Sequence, residues 1–220
     1  MDSTTTSAIV DALTRAIVEH RLLPGAKLVE QTLANQFGVS RTLIRQAFFR
    51  LSQNHLVRME PARGAFVAAP SVVEARQVFM VRRILEAGLI SAFIANATEA
   101  HIAALQDHVA LEKIAVSRGD VPARTLLLGD FHVCMAQLLG NDVLALILMD
   151  LISRCALITL LYQSGSSAEH SHDEHEGIVK AIAQRNVELA QQLLESHLQH
   201  IEAALTLPAL APLTPQPSRH

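Results

Sequence analysis

The chain has 220 residues, half of them apolar, with no Trp, a single Tyr and a formal charge of −3. A mean hydropathy of +0.27, carried by abundant Leu and Ala, excludes a disordered chain and favours helix. Two cysteines are too few for a disulfide scaffold and lack metal-finger spacing, so Cys134 and Cys155 are expected to fill buried helix positions.

Charge is spread unevenly. Residues 1–70 hold eight Arg/Lys and five Asp/Glu, whereas residues 71–220 hold ten and sixteen. A basic head on an acidic body suits one module that meets phosphate and another that does not. The opening Met1-Asp2-Ser3-Thr4-Thr5-Thr6 lacks the basic and apolar segments of a signal peptide. The most apolar run, Val143 to Leu161, is interrupted by Asp150, Ser153 and Arg154. It is therefore expected as a buried core or dimer helix of a cytoplasmic protein with no membrane partner.

In chain order, Ile9 to His20 carries a helical apolar stripe, and Pro24-Gly25 imposes a turn. A second helix is predicted over Val29 to Phe37, ended by Gly38. Ser40 is placed to cap a third helix with the stripe Leu43/Ile44, Ala47/Phe48 and Leu51. Two extended stretches flank Pro61-Ala62-Arg63-Gly64 and read as a tight β-hairpin, with a linker from Pro70-Ser71. Beyond it the pattern is helical throughout, with elements expected at 72–96, 98–118, 121–139, 142–163, 169–184 and 187–205. Asn186 is the expected cap of the last, and a proline-rich tail from Pro208 is expected to be mobile.

Helix, turn, helix, glycine turn, helix and hairpin, in that order, make a winged helix-turn-helix. Its chemistry concentrates in Ser40, Arg41, Thr42 and Arg45. The two arginines lie one turn apart on one face of a helix N-terminus, where free N–H groups and the helix dipole attract phosphate. Arg can also hold guanine O6 and N7 in the major groove. Gly64 permits a tight hairpin, from which Arg63 can reach the minor groove.

Leu28-Val29-Glu30-Gln31-Thr32-Leu33-Ala34, Gly38-Val39-Ser40-Arg41-Thr42, Arg45, Leu51, Leu56-Val57 and Arg63-Gly64 together resemble the GntR family of bacterial regulators. The resemblance implies that Arg41, Thr42 and Arg45 read an operator while the wing touches flanking backbone. It departs from the family pattern at Gln31, where a basic residue is usual, at Leu43 for Pro, and at His55 for Gly. His55 is expected in a left-handed turn.

In the remainder, three histidines sit on apolar faces. His132 shares a stripe with Leu128, Met135, Ala136 and Leu139; His175 with Ile178, Val179 and Ile182; His197 with Leu193, Leu194, Ile201 and Ala204. Neutral imidazoles converging on one divalent ion would satisfy all three, and a dry polar network of core histidines is the alternative. Phe131-His132, Leu139-Gly140-Asn141, Glu174-His175, Ile178, Ala181-Ile182 and His197-Leu198 resemble the FCD domain of FadR-type GntR regulators over about 75–205. The resemblance implies an antiparallel bundle of about six helices whose cavity holds a zinc or nickel ion on His132, His175 and His197, plus a small organic acid effector.

The family's fourth ligand, an Asp, is replaced by Leu128, and Asp130 is expected to point away. Arg82 matches a family arginine that enters the cavity; a surface pair with Glu86 at i+4 is the other reading. Arg154 is a further effector candidate, although Asp150 offers it a plain ion pair. His170 and His172 are expected in a solvated loop, and His20, His101, His108 and His200 at the surface or rim.

The resulting expectation is a mainly α chain. A winged helix-turn-helix covers 1–70, a linker 71–78, an effector-binding helical bundle 79–205 and a tail 206–220. It would act as a homodimeric repressor or activator on double-stranded operator DNA. The competing expectation, a metal-dependent hydrolase or hydratase built on the three histidines, lacks any carboxylate recognisable as a general base beside them.

Overall fold

The computed structural model describes residues 2–163 and 168–207. The tail expected to be mobile, from Pro208 onward, lies outside the described residues. The N-terminal half contains α1 (Asp2–Val18), β1 (Lys27–Leu28), α2 (Glu30–Phe37), α3 (Arg41–Gln53), β2 (Val57–Glu60) and β3 (Gly64–Val67). Ile9, Leu13 and Ile17 of α1 meet Ile44, Ala47, Phe48 and Leu51 of α3, all buried, because both stripes recur every three to four residues. Gly38 ends α2 at φ 65°, a left-handed conformation that suits glycine. His55 takes φ 55°, as expected.

The hairpin pairs Val57 with Val67 and Glu60 with Gly64, with Gly64 at φ 101°. A third strand, β1, pairs on the other edge of β3, giving the antiparallel order β1-β3-β2. Two residues are too short for an alternating pattern, so this strand leaves no periodic trace.

The second half is a bundle of α4 (Val72–Asn96), α5 (Glu99–Ser117), α6 (Val121–Leu138), α7 (Asp142–Tyr162), α8 (Ala168–Ala183) and α9 (Val187–Ala203). Ser71, Thr98, Asp120, Asn141 and Asn186 cap their helices, each side chain accepting from the backbone N–H three residues on. Leu89, Phe93, Leu105, Phe131, Leu148 and Ile182 form its apolar centre. Each such fully buried side chain contributes about 1.5–3 kcal/mol.

The helix α7 is long and apolar enough to cross a membrane by composition, yet 44% of its most apolar window is buried inside the protein. Leu148, Leu157 and Ile158 point inward, while Val143 and Leu146 on the outer face are 71% and 64% exposed. The two halves touch through α1, which packs on α6 and α7, and Leu157 of α7 belongs to the apolar cluster of the winged helix.

Candidate functional site

Two sets of polar side chains stand out, one on the surface of α3 and one buried in the bundle. Ser40 caps α3 by accepting from the Leu43 N–H at 3.3 Å, which holds the opening turn of the helix at the surface. Arg41 and Arg45 are 55% and 61% exposed there, and Thr42 is exposed beside them. Both guanidinium groups reach one carboxylate: Glu30 accepts from Arg41 Nη2 at 2.8 Å and from Arg45 Nε at 2.7 Å. These hydrogen bonds, Arg45 first, hold the Glu30 carboxyl below its ordinary pKa. The arginines are thus engaged by an acid without being buried. Exposed pairs of this kind are worth about 0–1 kcal/mol, so an incoming phosphate can displace Glu30 at little cost.

In the wing, Arg63 is 72% exposed, pairs with Glu60 and lies 5.5 Å from the centre of the Phe66 ring. Gln31 donates to Asn35 along α2. Gln46, Phe49 and Arg50 are also exposed on α3, and Phe49 at 63% is unusually open for an aromatic. Sequence reasoning passed over these residues, although their spacing from Thr42 and Arg45 is helical.

The bundle brings together His132 of α6, His175 of α8 and His197 of α9, each no more than 1% exposed. One ring nitrogen from each lies within 4.8 Å of the others, and the Nε2 atoms of His175 and His197 are 3.2 Å apart. Phe131 stacks on His175 with centroids 4.0 Å apart. Burial pushes the pKa of all three imidazoles down, that of His197 to about 4, so they are neutral near pH 7 and carry free lone pairs.

Each Nδ1 faces a glutamate from a neighbouring helix. Glu112 of α5 lies 3.0 Å from His175 Nδ1, Glu174 of α8 lies 2.8 Å from His197 Nδ1, and Glu86 of α4 lies 2.7 Å from His132 Nδ1. The last contact is at ion-pair distance but off the hydrogen-bond line, which leaves both atoms without an aligned partner. Burial raises the Glu86 pKa, but Arg82 and His132 outweigh it and hold the carboxyl far below its usual range. Glu174, raised by burial and lowered more by His197 and His200, falls to about 2. Glu112 is likewise held down by His108 and His175 against its burial.

Arg82 is 2% exposed and donates from Nε to Glu86 at 2.7 Å. Both readings of this residue therefore hold in part: the i+4 pair exists, and it is inside the protein. Its Nη2 is buried with no hydrogen-bond partner among the described residues. Arg82 and the three histidines line a cavity of about 420 Å3.

Several expectations are corrected. Arg154 is not among the lining side chains; Asp150 at 2.8 Å and Glu74 at 3.8 Å hold it elsewhere. Because α8 begins at Ala168, His172 is helical and 5% exposed, not in a solvated loop, with Glu112 at 3.6 Å. Asp130 does line the cavity, but on the His108 side and outside the imidazole cluster. Carboxylates do stand beside the triad, contrary to the sequence reading, yet each faces an Nδ1, which in His175 and His197 is not the nitrogen that the two rings turn toward each other.

A signal for these glutamates was present. Glu86 follows Phe79 and Arg82, and Glu112 follows Leu105 and Val109, on buried helical stripes.

A winged helix with a basic recognition turn, carried on an all-helical second half, is the build of a DNA-binding transcriptional regulator. The comparisons with known proteins agree. The family model described as "Bacterial regulatory proteins, gntR family" matches residues 5–67, and that of the FCD domain matches residues 77–200. The chain belongs to the gntR family, in the branch that carries an FCD domain.

It is 24% identical over 194 residues to the HTH-type transcriptional repressor RspR of Escherichia coli, covering 88% of this chain and 85% of that one. It is 28% identical over 208 residues to the HTH-type transcriptional regulator LutR of Bacillus subtilis, covering 84% and 94%. Among solved structures, E. coli McbR/YncC shares the fold with a TM-score of 0.80 at 22% identity, over 90% of this chain and 95% of the other. A putative GntR regulator from Rhodococcus sp. RHA1 does so with a TM-score of 0.80 at 24% identity, over 91% and 96%. RspR and LutR are named as transcriptional regulators, and the family to which this chain belongs is one of regulatory proteins, not of enzymes.

Proposed function

We propose that the protein is a homodimeric operator-binding regulator, reading DNA with residues 1–70 and sensing a small carboxylate with residues 79–205. In this reading a divalent ion, zinc or nickel, is held by His132, His175 and His197. The observation that carries it is the charge of the buried cluster. With the imidazoles neutral, the buried Glu86 and Glu112 and the half-buried Glu174 outnumber the one buried arginine, Arg82, while His108 stands 3.4 Å from Glu112 at the rim. Buried uncompensated charge costs several kcal/mol, and a divalent cation neutralises it.

Carboxylates on the Nδ1 atoms fix the tautomer that turns Nε2 inward and raise the basicity of each ligand. They supply from one bond further out the charge that Leu128 does not. A dry network of histidines would leave the same negative charge in place, which favours the ion.

A bound ion would polarise a ligand carboxylate. Arg82 Nη2, buried and unpartnered on the cavity wall, would bind a carboxylate oxygen and orient it. On the DNA side, Ser40, Arg41, Thr42 and Arg45 would enter the major groove, while Arg63 and Gly64 of the wing meet the flanking backbone. Dimerisation is supported by exposed apolar side chains on adjacent helices, Met80 and Ile84 of α4 and Val143, Leu146 and Ile147 of α7.

The test is elemental analysis of wild type and His175→Ala after dialysis against zinc. One equivalent in the wild type and none in the variant supports the centre; equal content in both removes it.

A further inference from the structure

The cavity beside the triad is not enclosed by the bundle alone. Thr14 and Val18 of α1, together with His20 just beyond its end, share its wall with Arg82, His132 and Met149. The first helix of the DNA-binding half therefore covers an opening that the six bundle helices leave, resting on α6 and α7. The seam is apolar and continuous, since Leu157 of α7 packs in the same cluster as Leu13 and Ile17. A shift of α1 relative to α7 would therefore change the cavity and the winged-helix core together.

His20 is a polar side chain at this junction. Its backbone is left-handed at φ 61°, an uncommon conformation for a residue other than glycine, and it turns the chain immediately after α1. The Ala156 carbonyl faces its ring. Its Nε2 is buried on the cavity wall with no hydrogen-bond partner among the described residues, as is Nη2 of Arg82. Leaving such a nitrogen unsatisfied is unfavourable, and a polar atom inside the cavity would satisfy it. Two orphaned nitrogens, one from each half of the protein, thus line one chamber of about 420 Å3.

We propose that His20 is an effector-contacting residue: a small carboxylate held at the Arg82 end carries a second polar group that hydrogen-bonds to His20 Nε2, so one ligand bridges the DNA-binding half and the bundle. This rests on the carboxylate reading above and names the ligand class more narrowly, as an acid with two polar ends. It also provides the differential contact that a regulatory ligand needs. The bond to His20 exists only while α1 sits on the bundle as it does here, so ligand binding favours this arrangement of the two halves over others.

The experiment uses full-length, zinc-loaded wild type and His20→Asn, because Asn tolerates the left-handed backbone while removing the imidazole. Malonate and citrate serve as probes in calorimetry. A duplex selected by the wild type from a random pool reports DNA affinity by fluorescence anisotropy. The expected result is unchanged zinc content and unchanged DNA affinity without probe in the variant. Its probe affinity should be about tenfold lower, with a correspondingly weaker effect of probe on DNA binding. A variant that binds the probe and responds on DNA like the wild type overturns the role of His20 and leaves the carboxylate reading standing. A wild type that binds neither probe overturns both.

Discussion

The recognition turn and the histidine cavity use one device in two dielectrics. On α3, Glu30 gathers two guanidinium groups in solvent; in the bundle, Glu86, Glu112 and Glu174 each hold an imidazole away from it. The surface carboxylate is screened by solvent and can be replaced at little cost. Glu86 and Glu112 are fully buried and have no water to return to, so each must stay ionised and paired or the bundle loses stability. Similar bonds thus make a loose grip where exchange is required and a rigid frame where geometry must be kept.

Breaking the buried side should have the larger effect. Glu86→Ala strands Arg82 and His132 together and should cost about 3–5 kcal/mol. That corresponds to a fall of about 10 °C in Tm, read by differential scanning calorimetry. A loss of only a degree or two would mean that Glu86 is no more constrained than Glu30.

Metal removal comes next. Chelation should destabilise the wild type by about 2.7 kcal/mol relative to protein held at a hundredfold excess of zinc over Kd. His175→Ala should be insensitive to chelator; a Tm unaffected by chelation in the wild type would argue for the dry network.

Arg41→Ala should weaken specific operator binding by about 1–3 kcal/mol, measured by anisotropy at fixed salt. An unchanged affinity would remove this turn from the interface.

The chelator-treated protein should also lose stability on acidification. His197 has its folded pKa lowered to about 4 from an unfolded value of 6.5, so the unfolded chain binds more protons between those values. Stability should therefore be full above that window and fall as pH drops through it. Glu174, lowered from 4.5 to about 2, extends the loss below pH 4.5. Urea midpoints from pH 7 to pH 4 that show no slope would contradict this.

The smallest effect belongs to Glu30→Gln. It should change DNA affinity by no more than a few-fold, because the exposed pair it removes is worth about 0–1 kcal/mol. A large loss would show Glu30 to be part of the interface and not a stand-in for phosphate.

Much of this could be read before any coordinates. Apart from α1, which starts at Asp2 instead of near Ile9, the apolar stripes placed the helices to within a residue or two, and Ser40 and Asn186 marked where two of them start. His132, His175 and His197 could be singled out because a polar residue on an apolar stripe is conspicuous. The same argument applied to Glu86 and Glu112 would have found two of their partners. Strand β1 could not be found this way, since two residues carry no period. His172 falls within the helix expected at 169–184, but its burial beside Glu112 depended on how α8 packs on α5, which local spacing does not carry.

By itself, then, the sequence determined the helical periods, the turn chemistry and the identity of the nitrogen-bearing side chains, all of which depend on neighbours within a few residues. Only the tertiary structure decided which glutamate faces which imidazole, that Arg82 is buried while Arg154 is held elsewhere, and that α1 closes the cavity. Those outcomes depend on how helices distant in the chain cross, and local spacing carries no information about that.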